Sequence, residues 1–339
     1  MPSAGVTPVT VLTGFLGSGK TTLLNALLAD PRFSETAVVV NEWGEIPIDH
    51  ALVRRSSENV IVLPSGCICC RVAGELLGTL RELHFQRAAG AIPPFRRVVI
   101  ETTGLADPAP LLATLIEMPA IAARYSLAGV VTTVDAEHGM ATLDAHPEAV
   151  KQAAVADRLV VTKVDRADAG RTAALEARLR ALNPGAPILQ SGRRPPDAAL
   201  LLETGLHRGE GRLADAGGWL NAGAYRHVGE ATGPRHDPRI SSFAWTAEEP
   251  FAWDDFESAL GALVDLLGAR ILRLKGLVNV RGEPGPRAVH VVQHTLYPSA
   301  RLPAWPDADR RTRLVFIGRD LEESAIDPIL QSCRHPAPR

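Results

Sequence analysis

The stretch "GFLGSGKT", from Gly14 to Thr21, follows the short β-branched run "VTVLTG" and precedes the helix-like "TTLLNALLA". It matches the phosphate-binding pattern G-x-x-x-x-G-K-[ST], which occurs between a strand and the N-terminus of a helix. Glycines let successive backbone N–H groups converge on phosphate oxygens, and the helix dipole favours an anion there. The stretch therefore predicts a P-loop, with Lys20 at the terminal phosphates and the Thr21 hydroxyl as a Mg²⁺ ligand.

Two later segments resemble elements by which GTPases read their nucleotide. "VVIETTGLADP" places Glu101 at a strand end, where it can hold the Mg²⁺ shell, and Gly104 three residues on, where its N–H can meet a γ-phosphate. "TKVD", from Thr162 to Asp165, resembles the guanine-reading pattern N-K-x-D, with Thr162 in place of asparagine. A capped turn and a solvated turn are the respective alternatives. The residues expected to contact the nucleotide are Gly14, Gly17, Ser18, Gly19, Lys20, Thr21, Thr22, Gly104, Thr162, Lys163 and Asp165.

Three of the four cysteines lie in "CICC", at Cys67, Cys69 and Cys70. Three soft thiolates within one turn suit Zn²⁺, Co²⁺ or Cu⁺, and a tetrahedral Zn²⁺ would need one more ligand or leave a position open. Buried apolar cysteines and a redox pair are the alternatives. Upstream, "NEWGEIPID" carries Glu42 and Glu45, which are candidates to complete the thiolate site, join the Mg²⁺ shell or position the hydrolytic water. A solvated loop is the alternative there.

The order of apolar runs predicts two folding units. From Pro8 to about Ser191, six short β-branched runs alternate with helix-like stretches, as in an α/β domain with a mostly parallel sheet. We expect this domain at 1–206, a glycine-rich linker at 207–239, and a smaller α+β domain at 240–332. The smaller domain should hold about four strands and at least one helix, around "WDDFESALGALVDLL", with "RGEPGP" as a hairpin turn.

Composition excludes several classes of partner. A formal net charge of -2 provides no field that would attract nucleic acid, and no apolar run is long enough to span a membrane. The start of the chain lacks the basic segment of a signal peptide, so we expect a cytoplasmic protein with reduced thiols. His290 and His294 are expected on one face of a strand, as a structural pair in preference to a ligand site. The oligomeric state, including a homo-oligomer, stays open.

With these motifs together, the chain is identified as resembling the CobW-type metallochaperone GTPases, in particular their YjiA-like branch, relatives of UreG and HypB. The resemblance rests on "TGFLGSGKTTLLN", "NEWGE", "SGCICC", "ETTGLADP", "TKVD", "RILRLKG" and "VFIG". It implies a P-loop GTPase domain joined to a CobW C-terminal domain, Mg²⁺-GTP, slow hydrolysis, and Zn²⁺ or Co²⁺ for a client metalloprotein. Lys20, Glu101 and Glu45 are then the catalytic candidates, and the expected metal ligands are Thr21, Glu42, Glu45, Cys67, Cys69 and Cys70.

Two other functions are compatible with the same motifs. A P-loop kinase or ATP-dependent ligase would use the loop for ATP and keep the cysteines as structural residues. A non-catalytic, metal-regulated binding module would hold GTP without turning it over. Competition between GTP and ATP tests the first, and multiple-turnover release of phosphate tests the second.

Overall fold

The computed structural model describes residues 6–41, 60–65, 72–202, 216–225 and 240–332. The chain divides into two compact units. The first comprises residues 1–177 and 186–214, and the second comprises residues 178–185 and 215–339. None of the helices in the described ranges is both long and apolar enough to cross a membrane.

Seven strands form the centre of the first unit: β1 (Thr7–Gly14), β2 (Thr36–Asn41), β3 (Val60–Ser65), β4 (Arg97–Glu101), β5 (Tyr125–Asp135), β6 (Arg158–Thr162) and β7 (Ile188–Ser191). They make one sheet in the order β3-β2-β4-β1-β5-β6-β7, and all neighbouring strands run parallel. Valines on both faces are fully buried, for example Val38 and Val39. The predicted α/β P-loop fold with a mostly parallel sheet is confirmed.

The sheet contains one strand more than the six predicted runs. The additional strand is β3, which pairs with β2 in register from Thr36 opposite Val60 to Asn41 opposite Ser65. Pro64 has no N–H to donate, so the sequence of this segment does not predict a strand. An edge strand nevertheless tolerates proline. Since β3 lies at the edge of the sheet, the proline is accommodated there.

Helices follow most of these strands, as expected for crossover connections between parallel strands. They are α1 (Lys20–Leu28), α2 (Val72–Ala88), α3 (Ala109–Glu117), α4 (Pro119–Ala122), α5 (Gly139–Ala145), α6 (Pro147–Ala154), α7 (Ala169–Leu182) and α8 (Ala198–Leu202). Leu23, Leu24 and Leu27 of α1 are buried in one cluster with residues of the sheet. This packing fixes the start of α1 at the end of β1.

The strand register brings the predicted nucleotide elements to one edge of the sheet. Leu12 lies opposite Glu101 on β4, and Gly14 lies opposite Thr133 on β5. Asp135, at the end of β5, lies opposite Thr162 on β6. Because all these strands are parallel, their carboxyl ends meet at the edge where α/β folds bind ligands.

The second unit has an antiparallel sheet of six strands within its described residues: β8 (Ile240–Ala247), β9 (Ile271–Val278), β10 (Arg287–Val292), β11 (Thr295–Leu296), β12 (Ala300–Arg301) and β13 (Thr312–Arg319). Its order is β11-β10-β9-β13-β8, and β12 pairs with β10. The predicted "RGEPGP" turn is confirmed, since β9 and β10 form an antiparallel pair around it. The expected four strands are too few because β11 and β12 are only two residues long.

Helices cover this antiparallel sheet and form its core. They are α9 (Ala216–Leu220), α10 (Trp253–Leu267) and α11 (Glu323–Ser332). The predicted amphipathic helix is α10, and its Phe256, Leu260 and Leu263 are buried against sheet residues such as Phe316 and Leu274. The arrangement confirms the smaller α+β domain.

The expectation that His290 and His294 share one face of a strand is wrong. The strand β10 ends at Val292, and the chain reverses at Gln293, whose φ of 51° is left-handed. His290 lies on β10, and its ring packs against that of Tyr297 in a tilted arrangement with ring centroids 4.0 Å apart. His294 lies in the turn, so the alternation of a single strand does not apply to it.

Candidate functional site

The P-loop occupies the space between the end of β1 and the start of α1. Gly14 has a φ of 144°, and a Cβ there would lie 2.3 Å from Thr133 Oγ1. Both the conformation and the close approach of β5 therefore require glycine at this position. Gly17 and Gly19 also have positive φ, at 70° and 91°. The glycines of the motif thus allow the loop to turn tightly over the edge of the sheet.

Lys20 begins α1 and points back into the loop. Its Nζ donates to the carbonyl oxygens of Gly14, at 3.0 Å, and Phe15, at 3.2 Å. The residue is 9% exposed, so its ammonium group is partly desolvated and interacts with other charges more strongly than it would in water. A phosphate held by the loop would meet this ammonium group.

Thr21 and Glu101 meet at the mouth of the loop. The Thr21 hydroxyl donates to Glu101 Oε1 over 2.6 Å, although the two residues are 80 positions apart in the chain. Glu101 is buried at the end of β4. A hydroxyl and a carboxylate are hard oxygen ligands, the type that Mg²⁺ prefers. The pair therefore fits the predicted role in holding Mg²⁺ beside the phosphates.

Gly104 closes the opposite wall of the same pocket. A Cβ at Gly104 would lie 2.6 Å from the backbone nitrogen of Leu16, so only glycine allows the segment to approach the P-loop this closely. The cavity has a volume of about 630 Å³ and is lined by Leu16, Gly17, Gly19, Lys20, Thr21, Thr22, Asn25, Glu101, Thr102, Thr103, Gly104, Leu105 and Lys163. The structure thus brings the predicted phosphate, Mg²⁺ and γ-phosphate contacts together.

Ser18 differs from its neighbours in the motif. Its side chain is buried, and its hydroxyl shares a hydrogen bond of 2.7 Å with Thr133 Oγ1. Its backbone N–H donates to the carbonyl of Phe15 at 3.1 Å. In this arrangement Ser18 holds the shape of the loop against β5.

The "TKVD" element joins the P-loop through its threonine. The Thr162 hydroxyl donates to the carbonyl oxygen of Ser18 over 2.6 Å. Thr162 is buried, and its side chain is in van der Waals reach of a Cβ placed on Gly19. The hydroxyl therefore links the "TKVD" element to the P-loop, so threonine at the position of the pattern's asparagine provides a side chain that can make this link.

Lys163 has a partner, and Asp165 has a close neighbour, that the sequence patterns do not reveal. Lys163 has a left-handed φ of 56°, and its Nζ donates to Asp135 Oδ2 over 2.6 Å. Asp165 faces the turn after β7, where a Cβ on Gly192 would lie 3.2 Å from its Oδ1. Asp135 and Gly192 were missed because neither belongs to a motif. Their one signal is that each lies at or just after the end of a predicted strand.

We predict that Thr162→Val separates the role of this hydroxyl from its packing. Loss of the bond to Ser18 should lower the free energy of unfolding by about 1 kcal/mol and weaken GDP binding about fivefold. Urea unfolding and displacement of a fluorescent GDP measure the two effects. The control is Thr172→Val on α7, which removes a buried threonine's bond to the carbonyl of Asp168, the residue just before that helix. A similar loss of GDP affinity in both variants would contradict the assignment.

The remaining predicted ligands, Glu42, Glu45, Cys67, Cys69 and Cys70, lie outside the described residues. Among the residues that are described, Asp135, Glu137 and His138 form one group with ligand atoms within 4.8 Å of one another. The Asp135 carboxylate already accepts from Lys163 Nζ and from the Glu137 N–H. The adjacent ammonium disfavours a cation at this place.

Comparison with known proteins extends over both units. Residues 8–190 match the family of CobW/HypB/UreG nucleotide-binding domains, and residues 240–334 match the C-terminal domain of the cobalamin synthesis protein cobW. The chain is 32% identical over 318 residues to the zinc chaperone YjiA of Escherichia coli, covering 94% of this chain and 96% of that protein. It is 31% identical over 357 residues to the zinc chaperone CobW of Pseudomonas aeruginosa, covering 94% and 89%.

A solved structure and a eukaryotic relative give the same picture. The crystal structure of Zn(II)-bound YjiA GTPase from E. coli superposes with a TM-score of 0.71 at 28% identity, covering 97% of this chain and 99% of that one. The zinc-regulated GTPase metalloprotein activator 1 of Saccharomyces cerevisiae is 26% identical over 377 residues, covering 96% and 82%. Each similarity spans both the nucleotide-binding unit and the antiparallel unit.

Proposed function

The chain belongs to the CobW/HypB/UreG family, and from that premise we propose that it is a GTP-hydrolysing metallochaperone that binds zinc and delivers it to a client protein. The observation that carries the proposal is the P-loop pocket, where Lys20, Thr21, Glu101 and Gly104 surround one cavity. Its relatives include proteins named as a zinc chaperone and as a zinc-regulated GTPase metalloprotein activator, and these names support zinc as the cargo and GTP as the nucleotide. The name of the yeast relative, a metalloprotein activator, supports a metalloprotein as the client.

The pocket supports phosphoryl transfer to water. In hydrolysis a water oxygen attacks the γ-phosphorus and the bond between that phosphorus and the β–γ bridging oxygen breaks, which leaves GDP and inorganic phosphate. Lys20 would neutralise charge on the terminal phosphates, and the Gly104 N–H would donate to the γ-phosphate. Thr21 and Glu101 would hold Mg²⁺, which supplies further charge neutralisation when bound. Glu45 and Glu42 stay the candidates for positioning the water.

The proposed zinc site is the C-x-C-C run, with Cys67, Cys69 and Cys70 as thiolate ligands of the transferable ion. The run connects β3 to α2, and the carboxyl end of β3 lies at the same edge of the parallel sheet as the P-loop. The connection after β2, which carries Glu42 and Glu45, leaves from that edge too. A switch there would bind zinc differently in the GTP and GDP states, as nucleotide-dependent delivery requires.

We predict that the metal-free, reduced protein binds Zn²⁺ about tenfold more tightly with Mg²⁺ and a non-hydrolysable GTP analogue than with Mg²⁺-GDP, a typical allosteric coupling. A competition titration against a chromophoric zinc chelator measures both affinities, and Co²⁺ provides a spectroscopic probe of thiolate ligation. Multiple-turnover phosphate release from GTP, compared with ATP, tests the GTPase. Equal zinc affinities would remove nucleotide control, and turnover of ATP alone would support a kinase or ligase instead.

A further inference from the structure

The segment that carries Gly104 is held by two neighbouring residues of α6. Gln152 donates from Nε2 to the carbonyl oxygens of Gly104, at 3.2 Å, and Ala106, at 3.0 Å. Lys151 forms an ion pair of 2.7 Å with Asp107, whose other oxygen accepts from the Ala109 N–H at the start of α3. Residues 104–107 are therefore fastened to one turn of one helix.

Gln152 is an unusual residue for its position. It is fully buried, and within the described residues its Oε1 has no hydrogen-bond partner. An unsatisfied buried acceptor costs about 1–3 kcal/mol, so packing alone would favour an apolar side chain of similar volume. Two directed bonds to the backbone next to the phosphate pocket are the gain that offsets this cost. The glutamine therefore contributes more to fixing the position of that backbone than to stabilising the core.

Gln152 also borders the P-loop. It lines a second cavity, of about 140 Å³, together with Phe15, Gly17 and Ser18 of the loop. Gly104 also lies close to the backbone of Leu16, so the segment contacts both the P-loop and α6. Loss of the hydrogen bonds and the ion pair to α6 would remove one of the two elements that hold the segment.

We propose that Gln152, assisted by Lys151, is a positioning residue that holds Gly104 where its N–H can meet the γ-phosphate. The assignment rests on the proposed function as a GTPase. GDP has no γ-phosphate and would therefore lack this contact with the Gly104 N–H. The two side chains therefore act on the preference for the triphosphate over GDP, while the affinity for GDP itself depends on the P-loop and the guanine element.

The test is the ratio of affinities for a non-hydrolysable GTP analogue and for GDP, measured by displacement of a fluorescent nucleotide in the full-length protein with Mg²⁺. Gln152→Met, which keeps volume but removes both donors, should lose about tenfold in analogue affinity with less than about a twofold change for GDP. Lys151→Met removes a partly exposed ion pair and should lower the ratio of analogue affinity to GDP affinity about threefold.

Tyr125→Phe is the matched control, because it removes a buried hydrogen bond of 2.9 Å to the Leu80 carbonyl in the same unit, away from the nucleotide. Its ratio should equal that of the wild type. If both α6 variants keep the wild-type ratio of affinities, or lose equal affinity for the analogue and for GDP, the role assigned to Gln152 is overturned while the proposed function stands. Should Gln152→Met fail to fold, Lys151→Met decides. Failure of the wild type to bind either nucleotide would overturn the proposed function and this assignment together.

Discussion

Lys20→Ala is expected to reduce GTP hydrolysis at least about 100-fold, the usual effect of removing one group that stabilises transition-state charge. The ammonium of Lys20 lies within hydrogen-bond distance of two P-loop carbonyls, inside the curve of the loop that would receive the terminal phosphates. Because Lys20 is nearly buried, water cannot easily supply the stabilisation of phosphate charge that the ammonium provides. Multiple-turnover phosphate release measures the effect.

Two further variants separate loss of charge from loss of fold. Lys20→Met keeps most of the side-chain volume and should be as inactive as Lys20→Ala. Arg124→Ala removes a cation just before β5, at the opposite edge of the sheet, where its guanidinium donates to the Ala120 carbonyl. That variant should hydrolyse GTP at the wild-type rate. A Lys20 variant that retains more than about a tenth of wild-type activity would contradict the assigned role.

Cys67→Ser or Cys69→Ser is expected to weaken zinc binding at least about 100-fold. Structural zinc sites bind with about 10–16 kcal/mol from four ligands, so the loss of one thiolate removes about 3 kcal/mol. The P-loop and the "TKVD" element contain no cysteine, so GDP affinity should stay within about twofold of the wild type. Competition with a zinc chelator and displacement of a fluorescent GDP measure the two affinities on the same preparation.

The chain supplies its own control for this experiment. Cys333 is the fourth cysteine and lies far from the others in sequence. Cys333→Ser should bind zinc as the wild type does, and it accounts for any effect of simply removing a thiol. Wild-type zinc affinity in both the Cys67 and Cys69 variants would overturn the proposed site and leave a GTPase whose metal site lies elsewhere.

Local patterns were sufficient for most of the fold and for part of the site. Alternating β-branched runs and helices predict a parallel sheet because each run is buried on both faces, as Val38 and Val39 are. The prediction missed β3, because Pro64 is unusual within a strand and is tolerated there only since β3 lies at the edge of the sheet. The prediction also placed His290 and His294 on one strand, although Gln293 between them has a left-handed conformation and the chain turns there into a hairpin. Both errors arise from backbone conformations that composition does not specify.

The amino-acid sequence by itself determined the P-loop, because its glycines, Lys20 and Thr21 act within eight consecutive residues and need no distant partner to be recognised. Only the tertiary structure decided what surrounds that loop. Thr162 meets Ser18 across 144 positions, Gln152 meets Gly104 across 48, and Lys163 meets Asp135 across 28. No spacing rule predicts such pairs, because strand order and register bring them together after the chain has folded.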